Sequence, residues 1–77
     1  MRIEINPYIV ADTNICHGQP TFKNTRIMVS IVLEMLQDSA TIKEILDAYP
    51  SLTKDHIKAS LQFAAELAGR RFKLTPA

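Results

Sequence analysis

The strongest constraint on this chain is Pro50, set between two helix-start signals. A proline pushes the preceding residue out of the α region, so a helix reaching Tyr49 must stop there. Upstream, Thr41-Ile42-Lys43-Glu44 reads as a capping box. The threonine hydroxyl takes the Glu44 amide proton, and the Glu44 carboxylate reaches back to the Thr41 amide. Downstream, Thr53 stands as an N-cap, with Asp55 in the first turn where its charge suits the helix dipole. Two helices joined by a short turn follow from this punctuation.

Apolar spacing predicts a further helix ahead of them. Val29, Val32, Leu33 and Leu36 fall at i, i+3, i+4 and i+7 within Val29–Gln37, and so share one face. Asp38-Ser39-Ala40 breaks that helix. In the middle helix Ile42, Ile45, Leu46 and Tyr49 form the stripe, with the Tyr49 ring in the core. In the last helix Ile57, Leu61, Ala64 and Ala68 are expected to face inward, and Gly69 to stop it. Asp55, Ala59, Gln62 and Glu66 then face outward, flanked by Lys58 and Phe63.

Residues before about 28 read differently. Arg2-Ile3-Glu4-Ile5 alternates as a strand does, and Tyr8-Ile9-Val10 is a second β-prone run. Thr21-Phe22 and Arg26-Ile27 flank Lys23-Asn24-Thr25, a tight hairpin with Asn24 in the left-handed region. The expected fold class is therefore mainly α. A three-helix, helix-turn-helix-like core over 29–69 follows a short N-terminal β-hairpin region over 1–28 and precedes a basic tail over 70–77. At 77 residues the chain makes one domain, and a chain of this size buries only about 60% of its unfolded surface. A partner or a second copy is then a natural complement.

Charge narrows the function classes. Nine basic and eight acidic residues leave a formal charge of +1, without the basic excess of a strong nucleic-acid binder. DNA binding would need a local patch or a homodimer. No run of about 18 apolar residues reads as a membrane span, no signal peptide is visible, and a single cysteine forms no internal disulfide. The cytoplasm is the expected setting.

The ordered run Gly18-Gln19-Pro20-Thr21-Phe22-Lys23-Asn24-Thr25-Arg26-Ile27, then Thr41-Ile42-Lys43-Glu44-Ile45-Leu46 and Tyr49-Pro50-Ser51-Leu52-Thr53, resembles a small prokaryotic family catalogued as domain of unknown function 433. The resemblance covers about Ile9 to Leu67. Asn24 and Ser39 stand where that family has glycine, and Met28 where it has proline; against that pattern, Ser39 implies a less sharply defined end to the first helix. What it implies is a helix-turn-helix-type domain with a short β element. It also implies a role as antitoxin of a type II toxin–antitoxin pair, facing a PIN-like ribonuclease toxin. It brings no catalytic residues.

Candidate residues follow from these readings. Lys54, Lys58 and Gln62, near the start of the last helix, are candidates for operator DNA. Phe63, Arg70, Arg71, Phe72 and Leu74 are candidates for the toxin, the arginines by complementing a carboxylate cluster bidentately. Gly18, Pro20, Thr25, Arg26, Thr41, Tyr49, Pro50 and Thr53 are assigned to the fold, Arg26 as a guanidinium tying the hairpin to the helices. Cys16, His17 and His56 lack the paired spacing of a zinc site, and neighbours on an extended segment point to opposite faces, so neither a metal nor a nucleophile–base pair is expected. No cofactor and no enzymatic activity are expected. The alternatives are a stand-alone dimeric helix-turn-helix DNA-binding regulator and a protein-interaction module with no nucleic-acid role.

Overall fold

The computed structural model describes residues 1–71, with side chains to Arg70. Chain order is β1 (Arg2–Asn6), β2 (Ile9–Asp12), β3 (Thr21–Phe22), α1 (Val29–Gln37), α2 (Ile42–Ala48) and α3 (Lys54–Arg71). The strands form one antiparallel sheet in the order β1-β2-β3. Asn6 turns β1 into β2: its Oδ1 accepts the Tyr8 and Ile9 amide protons at 2.8 and 3.0 Å, an Asx turn.

The mainly α expectation is therefore corrected: the fold is α+β, because the sheet is a layer of the core. Ile9 and Phe22 are both fully buried. They share one apolar cluster with Val29, Val32, Ile45, Leu52, Ile57 and Ala59. The opposite sheet face is also closed. Val10 and Thr21, which alternation points away from Ile9 and Phe22, are buried too, Val10 beside Ile15 and the hairpin. Burial on both faces hides the polar–apolar alternation by which a strand is recognised, and only β1 shows it.

The hairpin forms as its turn residues require. Asn24 is left-handed at φ 64°. Thr25 donates its hydroxyl to the Phe22 carbonyl at 2.8 Å and accepts the Ile27 amide at 3.0 Å. Before it, Cys16, His17 and Gly18 form a turn that is left-handed throughout, with φ of 49°, 58° and 82°. At Gly18 an added Cβ would meet nothing closer than 3.8 Å, so backbone angle, not space, makes glycine suitable there.

The helices keep their expected starts. α1 spans Val29–Gln37. Thr41 and Glu44 close the capping box at 3.1 and 2.9 Å. Tyr49 leaves the helical region at φ −129°, as a pre-proline residue does. The end of α1 is sharper than expected. Ser39 takes the left-handed position at φ 68°, its amide donates to the Leu36 carbonyl, and the Ala40 amide donates to that of Met35. This is a complete Schellman motif, built without glycine.

α3 departs from expectation twice. It continues through Gly69 to Arg71, so Gly69 is not its stop. Its buried residues are Ile57, Ala59 and Ser60, with Phe63 half-buried on the core, whereas Leu61 is 51% exposed. Leucine at 61 suggested the wrong face. Ser60 goes inward because its hydroxyl donates to the His56 carbonyl at 2.9 Å, which satisfies it there.

Candidate functional site

α3 is positioned by its first turn. The Thr53 amide donates to Nδ1 of His56 at 3.0 Å, and the Thr53 hydroxyl lies 2.9 Å from the same nitrogen. His56 thus takes the reach-back role that Glu44 plays in α2. The same imidazole stands edge-on to Tyr8, at 5.0 Å between centroids, and to Phe22, at 5.5 Å. One side chain therefore caps α3 and ties it to the sheet. Sequence reasoning missed this joint: an isolated His56 gave no sign of its partners, though three residues after a capping Thr53 is the position from which a side chain reaches back.

Past that joint α3 runs on for 18 residues in all, about 27 Å. At 100° per residue, Lys54, Lys58, Leu61 and Ala65 occupy its solvent face, all exposed, with exposed Gln62 at the flank. The candidate DNA residues thus point outward, but into two surroundings. Lys54 lines a cleft between α2 and α3 with Ile42, Lys43, Leu46 and Asp47, where Lys43 already pairs with Asp47 at 3.0 Å. Lys58 and Gln62 line a hollow with Tyr8 and Asp55, and Gln62 reaches Glu66 at 3.4 Å.

The candidate toxin residues divide similarly. Phe63 packs on the core from the sheet side. With Ile3, Ile5, Glu66, Leu67 and Arg70 it lines a groove between β1 and α3. Arg70 is exposed. Arg71 ends the described helix, and Phe72 and Leu74 lie outside the described residues. Leu61 and Leu67 are 51% and 39% exposed. Sequence reasoning singles out neither as a contact residue, and it assigns Leu61 to the core.

Arg26 does not tie the hairpin to the helices. It is exposed on the rim of a cleft with Arg2, Val10 and Ile15. Among the described residues its guanidinium has no ion-pair partner, and only its carbonyl is engaged, by the Cys16 thiol at 3.6 Å. Cys16, His17 and His56 do not converge, and among the described residues no three His, Cys, Asp or Glu side chains gather as metal ligands. No described helix is long and apolar enough to cross a membrane. The Glu44 carboxyl is held below its ordinary value by the Thr41 amide and then by the Thr41 hydroxyl. What this surface offers is contact: apolar side chains on a helix beside lysines and an arginine.

Comparison with known proteins agrees with that picture of the fold. The profile of the family described as "Protein of unknown function (DUF433)" matches residues 9–64. A crystal structure of a DUF433 member protein from Anabaena variabilis superposes with a TM-score of 0.76 at 29% identity, covering 86% of this chain. This chain spans 65% of that one, less than two thirds of its length. No curated protein matches.

Proposed function

The chain belongs to the DUF433 family, and from that premise we propose that it is a non-enzymatic antitoxin, which binds and blocks a toxin protein of the PIN-like ribonuclease type. The observation that carries the reading is the solvent stripe of α3. Leu61 is half exposed, followed at helical spacing by exposed Ala65 and Ala68, on the part of α3 beyond its buried residues Ile57, Ala59 and Ser60. Apolar side chains on the exposed face of a helix support a helix-in-groove contact, with anchors one turn apart. Arg70, and Arg71 at the helix end, bring positive charge suited to the carboxylates around a nuclease metal.

Co-expression with the product of the neighbouring reading frame tests this. The two chains should co-purify, and the toxin's ribonuclease activity should fall. Leu61→Glu should weaken neutralisation at least about tenfold, the scale of one buried apolar anchor of about 2 kcal/mol. An intact, folded Leu61→Glu that neutralises as the wild type does would remove this face from the mechanism.

A second reading has its own observation. Lys54, Lys58 and Gln62 are exposed on the helix that follows the α2–α3 turn, where a helix-turn-helix presents its recognition residues. A homodimer on operator DNA would follow. Each lost lysine–phosphate contact should lower the slope of log K against log salt by about 0.9.

A further inference from the structure

Among the described residues β1 lies at an edge of the sheet with no strand on its outer side, and an open edge is a template for another strand. The register fixes which groups it offers. Thr13 donates its amide to the Met1 carbonyl at 3.0 Å, and Ile3 stands opposite Ala11. In an antiparallel ladder the hydrogen-bonded positions alternate, so Met1 and Ile3 turn their peptide groups toward β2. Arg2 and Glu4 turn theirs toward the open edge. The side chains alternate as well. Ile3 faces the helices beside Phe63 and Leu67, whereas Arg2 and Glu4 face the other way, near Asp12 and Lys23.

We propose that two copies of this chain join at β1, antiparallel about a two-fold axis through Ile3, to make one continuous six-stranded sheet. Charge selects this pairing. Arg2 and Glu4 flank Ile3 with opposite signs, so the axis sets Arg2 against Glu4 of the second copy, twice. An axis through Glu4 would oppose two carboxylates, which destabilises a pair of strands. The chosen axis also makes Ile3–Ile3 a close, non-hydrogen-bonded pair, with Arg2 and Glu4 as the hydrogen-bonded pairs on each side, about four backbone bonds in all.

The apolar surface agrees. Ile3 is 52% and Leu67 39% exposed in the single chain, and both border the groove along this edge. The axis brings each toward its own copy on the helix side of the sheet. Arg2 is available for the exchange, since its contacts with Glu4 and Asp12 are both long at 3.9 Å and its side chain is 45% exposed. This inference does not depend on the toxin reading, though it supplies the two-fold that operator binding needs.

The test uses the chain alone, in sedimentation equilibrium, so its outcome is separate from any toxin assay. The wild type should be dimeric at about 100 µM, well above a micromolar Kd. Arg2→Glu sets carboxylate against carboxylate across the new strand pair, and Glu4→Arg sets guanidinium against guanidinium. Each variant alone should therefore dissociate, its Kd raised about tenfold or more. Mixed one to one, the two variants should form a heterodimer tighter than either variant with itself, because both cross-strand positions then oppose a carboxylate and a guanidinium, whereas each variant with itself opposes like charges at both. In the wild type, amide exchange at Arg2 and Glu4 should slow as concentration rises, a readout that needs no variant. A monomeric wild type, variants that dimerise as the wild type does, a mixture no tighter than its parts, or concentration-independent exchange at Arg2 and Glu4 would each overturn the proposal.

Discussion

The sheet half and the helical half reach burial by opposite routes. In the sheet, Ile9, Val10, Thr21 and Phe22 are all buried although they come from two short strands, because both faces are covered. In the two short helices burial comes about once per turn: Val29 and Val32 in α1, Ile45 alone in α2. The sheet half bends through a run of left-handed residues at Cys16, His17 and Gly18, then Asn24, whereas among the described residues the helical half has one, Ser39. A short strand buried on two sides thus adds more core per residue than a short amphipathic helix. The contrast also shows that the β region is a foundation of the fold and not an attachment to a helical bundle.

Phe22→Ala is the sharpest way to break that contrast. The ring is fully buried and meets His56 edge-on, so truncation should cost about 3–5 kcal/mol, a large part of a small domain's stability. Urea unfolding followed by far-ultraviolet dichroism should show the helices lost in the same transition. Helices that survive in Phe22→Ala would make the sheet an appendage after all. The helical counterpart, Ile45→Ala, should cost about 2–5 kcal/mol and abolish exchange protection in β2 as well as in α2.

Legibility differed between the halves for the same physical reason. Helix starts are written locally: Thr41 with Glu44, Thr53, and Pro50 after Tyr49 could all be read from neighbours in sequence. The sheet's contribution could not, because Phe22 shows its burial only once β2 and α3 close over it. The inner face of α3 was misread for a related reason. Leu61 outranks Ser60 and Ala59 in hydrophobicity, but the Ser60 hydroxyl finds the His56 carbonyl and small residues allow close packing. Of the candidate surface, the outward lysines and Gln62 were legible from their charge and polarity. The groove beside β1 was not, since it joins Ile3 and Ile5 to residues far along the chain, on α3. The motif around Arg26 points to a role in the fold, but a motif does not show which way a side chain turns, and Arg26 turns outward.

Smaller effects sharpen the same contrast. Thr41→Ala removes the hydroxyl that caps α2 and should cost about 1 kcal/mol, seen as a lower urea midpoint with an unchanged slope. Ser39→Gly should stabilise by about 0.5–1 kcal/mol, because a left-handed residue with a side chain is strained where glycine is not. No gain would mean that the Ser39 turn is relaxed in a way its φ does not suggest. The smallest effect is at Glu44. Its folded-state pKa lies below the ordinary 4.5, so its contribution is complete above pH 4.5 and fades as pH falls through the lower folded value. In a stability scan from neutral to acid pH, Glu44→Gln should lack that component, with the rest of the profile kept.

The outward face of α3 has a consequence for how such a chain changes over generations. Beyond Ser60 the inner side of α3 rests on the sheet through Phe63, while Leu61, Ala65 and Ala68 on its outer side are exposed. Replacements at exposed Leu61, Ala65 or Ala68 should therefore leave the folding equilibrium nearly untouched, and if the proposed contact is made there they would change the partner instead. On the proposed reading, residues that choose the partner and residues that hold the fold share one helix but lie on separate faces of it, so one can change without the other.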